Sequence, residues 1–253
     1  MKRHCLALLL VVLAAPVFVI SAATQTADEV IEKHLAAMGG REALGKLTSR
    51  KSTGTFTLTL PNGELTGPIE LYTKLPNKAR AYIVLDLTPM GMADKMTIDQ
   101  KFDGTTGWTL NSVQGDNPIT GNQLDNMKNA MFPNPLLNYK ATGTTVELLP
   151  TETVAGKAAI VLRITPKVGS VSKLYLDPTT YLPFRSTAMI EMAQPGGPLQ
   201  QVQQVAEASD YRKVDGLTLP FKTVNSTPEQ TVTIVLKTVE HNVAIDDAMF
   251  VKK

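Results

Sequence analysis

Side chains able to do chemistry are few in this sequence and stand far apart. Beyond the first 23 residues there are two histidines, His34 and His241, and no cysteine. His34 shares a helical face with Ile31, Leu35 and Met38, which suits a core or rim position better than a ligand. His241, in Glu240-His241-Asn242, can pair with a carboxylate, but one imidazole without a nearby second donor does not make a metal site. The carboxylates that could share acid–base work are Asp177, Asp215, Asp246 and Asp247. All four occupy turn sequences, where an aspartate caps local backbone. No nucleophile elbow, phosphate-cradling glycine loop or dinucleotide fingerprint is present. These residues argue against an enzyme and against a cofactor or metal.

The positive signal is apolar. Met90, Met92 and Met96 fall within one turn region, and Met127 and Met131 lie one helical turn apart. Methionine is flexible and polarizable, and surfaces that adapt to varied apolar partners use it heavily. Trp108 follows a glycine-rich turn and could floor a cavity. Met90, Met92, Met96, Trp108, Met127 and Met131 are therefore the candidate cavity or rim residues for an apolar ligand. The alternative is that each simply fills a gap in the core. With no histidine or cysteine nearby, the methionines do not read as a copper site.

Composition narrows the setting. The chain has 253 residues, 25 Lys+Arg, 23 Asp+Glu and one cysteine, and it is 43% apolar. Lys2-Arg3, the apolar run Leu6 to Ile20 and Ser21-Ala22-Ala23 have the layout of a secretory signal, predicting cleavage after residue 23. Both surplus charges and Cys5 lie in that segment, so residues 24 to 253 are formally neutral and cysteine-free. A neutral chain without a basic block lacks the footprint of a nucleic-acid binder. No second long apolar segment follows, so no transmembrane segment is expected after cleavage. A periplasmic or secreted location is expected, with residues 24 to 253 as a single domain.

The elements that must position the candidates are mainly strands. Thr26 and Glu29 have capping-box spacing and predict a helix over 27 to 38, stopped by Gly39-Gly40. From residue 50 the apolar period changes to two, as in Thr55-Phe56-Thr57-Leu58-Thr59-Leu60. A second helix is predicted over 123 to 132, ended by Pro133-Asn134-Pro135. Turn residues otherwise recur at strand-length intervals. The pattern predicts a mainly β (α+β) fold: a half-open antiparallel β-barrel of about eleven strands, with the two helices as plug or lid.

Five stretches carry a resemblance. Ala36-Ala37-Met38-Gly39-Gly40-Arg41-Glu42-Ala43-Leu44 resembles the N-terminal helix motif of secreted bacterial proteins related to the outer-membrane lipoprotein-sorting proteins. Phe102-Asp103-Gly104 with Gly107-Trp108, and Leu176-Asp177-Pro178 with Leu182-Pro183, are similar to that family's strand–turn elements. So are the segment from Asp210 to Pro220 and the closing Asn242 to Phe250. The resemblance implies a LolA/LolB-like fold, an unclosed barrel with helices as a lid over an apolar cavity. It implies a periplasmic binding or carrier protein for acylated or lipid-like ligands, lipoproteins among them, with acyl chains as partners and no catalysis. The alternative it leaves is an envelope sensor or protein-interaction module with a filled barrel and a protein partner.

Overall fold

The computed structural model describes residues 25–92, 94–193 and 199–252. The predicted export signal, residues 1 to 23, lies outside them. Helices α1 (Ala27–Ala37) and α2 (Arg41–Gly45) come first. Six strands follow: β1 (Ser49–Leu60), β2 (Gly63–Lys74), β3 (Lys78–Asp86), β4 (Lys95–Phe102), β5 (Gly107–Asn111) and β6 (Gly115–Ile119). Helix α3 (Gly121–Asn129) interrupts them. The remaining strands are β7 (Thr145–Val154), β8 (Lys157–Thr165), β9 (Ser172–Leu176), β10 (Pro183–Ala193), β11 (Leu199–Val214), β12 (Leu217–Ser226) and β13 (Thr231–His241).

All thirteen strands form one antiparallel sheet in the order β6-β5-β4-β3-β2-β1-β13-β12-β11-β10-β9-β8-β7. Two meanders are thus sewn together where β1 pairs with β13, and the sheet does not close. The strand count exceeds the expected eleven. Strand β6, Gly-Asp-Asn-Pro-Ile, has the composition of a turn and four exposed residues of five. It persists as a strand because it sits at an edge, where Pro118 forfeits no ladder bond. The opposite edge strand, β7, likewise tolerates Pro150 beside an irregularity between Leu149 and Glu152.

The sheet is strongly curled. Gln100 on β4 and Gln204 on β11 border the same cavity although five strands separate theirs in the sheet order. At about 4.8 Å per strand, a flat sheet would hold them much too far apart. Strands β6 and β7 are consecutive in sequence but lie at opposite edges, so residues 120–144, with α3, must cross the opening.

Apolar alternation explains which face turns inward. Val30, Ile31 and Leu35 of α1 pack with Leu162, Leu176, Leu217 and Leu219, and Phe132, Leu136 and Tyr139 from the crossing segment join them. A second cluster, Phe56, Leu65, Ile69, Ile83, Leu85 and Leu87, fills the β1–β3 part of the same face. The capping box at Thr26 and Glu29 forms as expected, fixing where α1 begins. Helix α1 is therefore a plug within the core.

His34 belongs to that plug. It is 3% exposed; Nδ1 donates to the Tyr181 carbonyl at 3.1 Å, and Nε2 accepts from Asn134 at 3.3 Å. This network needs the neutral ring, and burial pushes its pKa below the usual histidine value. As pH falls below about 6.5, the unfolded chain takes up a proton that the folded chain resists. Stability is therefore complete above that pH and declines as pH falls towards the folded pKa. Urea denaturation between pH 7 and pH 5 should show this decline in the wild type and a flatter profile in His34→Gln. An unchanged slope in the variant would assign the pH dependence elsewhere.

Candidate ligand cavity

Helix α3 crosses the opening without entering the core, since none of its residues is buried. Polar bonds hold it instead. Asn122, Asn126 and Asn129 fall on one helical face. Asn126 Nδ2 donates to Ser170 Oγ at 3.1 Å and its Oδ1 accepts from Ser170 N at 2.8 Å. Ser170 Oγ also meets Asn122 Oδ1 at 2.7 Å, and Asn129 Nδ2 donates to the Val168 carbonyl at 2.6 Å. From the other side of the opening, Asn77 Nδ2 donates to the Lys128 carbonyl at 3.2 Å. Each such bond contributes about 1 kcal/mol net, so α3 is attached less firmly than α1.

Two cavities lie against α3. One, of about 530 Å³, is bounded by Asn122, Gln123, Asn126, Met127 and Ala130 of the crossing segment. Its other walls include Gln100, Ile190, Met192, Gln204 and Gln230. The second, of about 300 Å³, has Leu136, Ile164, Ser172 and Ala188 in its walls. Asn126, Ala130, Ile190 and Gln204 line both. The two are adjoining halves of a space under α3, within the size range of ligand sites. Six side-chain amides stand among the walls of the larger half, so the lining mixes apolar and hydrogen-bonding groups.

The six sequence candidates are not brought together. Met127 lines the larger cavity. Met131 is half-buried just beyond α3. Met96 packs against the β1–β3 core cluster, and Met92 is 46% exposed. Met90 closes a short 3-10 turn, and its side chain lies outside the described residues. Trp108 is the register partner of Lys101 on the outer face, with Lys252 Nζ 4.0 Å from its ring centre. Strand parity decides this: Ile98 and Gln100 point inward on β4, so Lys101 and its partner point outward.

The four aspartates hold separate local roles. Asp177 Oδ1 accepts from Thr179 N and Thr180 N, both at 2.9 Å, and Lys157 pairs with its other oxygen. Those backbone donors and the lysine hold its pKa down at about 2. Asp247 pairs with Lys74 and Lys78, which likewise hold it at about 2. Asp246 caps a 3-10 turn through Ala248 N, and Asp215 meets His241 Nδ1 at 2.9 Å. The asparagine face of α3 has a signal in the sequence, a spacing of four and then three residues, although asparagine carries no apolar pattern to draw notice to it. Gln204 and Ile190 carry no local signal at all. Their role comes from the curl that sets β10 and β11 under α3.

No family model matches the chain, and no curated protein matches it in sequence. Solved structures do match in fold. A DUF1329 family protein from Desulfovibrio piger superposes with a TM-score of 0.56 at 15% identity, covering 88% of this chain and 96% of that one. A LolA superfamily protein from Nitrosomonas europaea gives 0.55 at 15% identity, over 90% and 98%. An outer membrane lipoprotein-sorting protein domain from Vibrio parahaemolyticus gives 0.54 at 10% identity, over 88% and 94%. Among the described residues no helix is long and apolar enough to cross a membrane. The unclosed thirteen-stranded sheet, with a helical segment laid across its opening, is a LolA-like fold.

Proposed function

We propose that this protein is a periplasmic binding or carrier protein that holds acylated or lipid-like molecules, lipoproteins among them, on the inner face of its sheet without catalysis. The observation that carries this reading is the adjoining pair of cavities under α3, about 530 and 300 Å³. A filled barrel, as an interaction module would have, leaves no such space. The weak attachment of α3 suits a lid: breaking a few side-chain hydrogen bonds opens the cavity and leaves the α1 plug in place. Met127, Met192 and Ile190 offer apolar contact, and the amides offer partners for ester or amide groups near the base of an acyl chain. The lipoprotein-sorting domain of the same fold supports this choice of ligand class. The layout of residues 1 to 23 supports the location.

The test is thermal unfolding of the full mature chain with a diacylated lipopeptide, alongside native mass spectrometry of freshly purified protein. A ligand at about one hundred times its Kd stabilises by about 2.7 kcal/mol, a rise of about 5 to 10 °C for a chain of this size. Co-purified lipid and such a rise are the expected results. Protein that carries no lipid and does not respond to acylated ligands would overturn the reading.

A further inference from the structure

Among the described residues, the buried side-chain nitrogen and oxygen atoms without a hydrogen-bond partner are Arg50 Nε and Nη2, Thr73 Oγ1 and His241 Nε2. They fall on one row of the sheet. Arg50 on β1 is the register partner of Thr73 on β2 and of His241 on β13. Register partners in an antiparallel pair share a face, here the inner one. Buried polar groups are nearly always paired in native proteins, so a row of unpaired ones asks for a missing partner.

The character of that partner follows from Arg50. Burial lowers its pKa to about 10, so it remains a cation at neutral pH. It faces the Phe132 ring at 5.3 Å, and among the described residues its Nε and Nη2 have no hydrogen-bond partner. Nε and Nη2 form the guanidinium edge that fits both oxygens of a carboxylate. Three other arginines fill that edge with a carboxylate. Arg80 gives it to Asp99 at 2.7 and 2.8 Å, Arg212 to Asp210 at 3.0 and 2.6 Å, and Arg41 to Glu32 at 2.9 and 2.6 Å. Residues 1–24, 93, 194–198 and 253 include no acidic side chain that could fill it. Arg50 and Thr73 also border a cavity of about 220 Å³ whose other walls include Leu71, Phe221, Ile234 and Leu236. This cavity shares no lining residue with the two under α3.

We propose that Arg50, with Thr73 beside it, is the head-group site for a single-chain fatty carboxylate whose tail lies in the 220 Å³ cavity. This rests on the reading of the inner face as an acyl-binding surface and adds to it a second site, for a charged ligand. The carboxylate supplies both acceptors for the free guanidinium edge and a further acceptor for the Thr73 hydroxyl. It neutralises the buried cation, which an ester or an alcohol of equal chain length cannot do. The modest volume favours a medium-length chain.

Isothermal titration of the full mature chain with decanoate, methyl decanoate and decanol tests this. The wild type should bind decanoate at least about tenfold tighter than the ester or the alcohol. Arg50→Met should erase that preference and keep the weaker binding of all three. Removing an unpaired buried cation should not lower its melting temperature. Thr73→Val, which leaves the charge in place, should reduce decanoate affinity severalfold. Equal affinities for the three ligands in the wild type, or a preference that survives Arg50→Met, would overturn the head-group site and leave the acyl-binding reading intact. Binding of none of the three, together with silence towards the lipopeptide, would overturn both. Should Arg50→Met fail to fold, the wild-type series and Thr73→Val decide the question.

Discussion

Replacing Ala130 with tryptophan is expected to weaken binding of a diacylated lipopeptide about a hundredfold, equivalent to about 2.7 kcal/mol, with little change in melting temperature. Ala130 is the C-cap of α3 and lines both cavities beneath it. A tryptophan side chain there occupies the volume in which the halves meet. The position is exposed and outside the core clusters, so the added bulk strains no packed neighbour. Surface substitutions of this kind usually stay within about 0.5 kcal/mol of the parent. The same variant should bind decanoate as the wild type does, because the Arg50 cavity shares no wall with this one. Calorimetry with the two ligands on one protein therefore separates the sites. Undiminished lipopeptide affinity in Ala130→Trp would place that ligand elsewhere.

Gly67→Ala should destabilise the fold by about 3 kcal/mol or more, lowering the melting temperature by roughly 10 °C. Gly67 lies within β2, opposite Phe56 on β1. A Cβ built there would stand 1.8 Å from the Val84 carbonyl oxygen and 2.9 Å from its carbon. Neither can swing away as a flexible side-chain tip could, because both belong to the backbone of β3. Moving that strand would drag Leu85, fully buried in the second core cluster, out of its packing. Gly45→Ala is the control. Gly45 ends α2, has ordinary φ, and a Cβ there meets nothing within 4 Å. Alanine there should be neutral or stabilising by up to about 1 kcal/mol. Melting curves for the two variants that coincide would contradict the close approach of β3 to Gly67.

Gly67 also marks a limit of what local sequence reveals. Thr66-Gly67-Pro68 looks like a break, so the pattern places the start of a strand at Ile69. In the fold β2 runs unbroken from Gly63 to Lys74, because the glycine lets β3 pass close above it. Gly54 on β1 is similar: it sits at a register irregularity, and a Cβ would meet the Val235 carbonyl at 2.3 Å. Pro150 and Pro118 likewise suggest breaks and instead belong to the two edge strands. What reads as punctuation is often a neighbour's requirement, and a neighbour is invisible to a local pattern.

The sequence by itself determined the class of the fold and the plug. Alternation of apolar and polar residues sets the strand faces, and the capping box with Gly39-Gly40 bounds α1, because both signals are local and repeat along the chain. It also placed the aspartates in turns, where backbone donors lie two or three residues away. The site was decided by tertiary structure. Which methionine faces a cavity depends on strand parity and on the curl that sets β4 opposite β10 and β11. The Arg50 row exists because β1 pairs with β13, joining residues almost two hundred positions apart. A pairing over that separation leaves no trace in the spacing of its residues. That Arg50 Nε and Nη2 lack a partner among the described residues shows only once the neighbouring strands are in place.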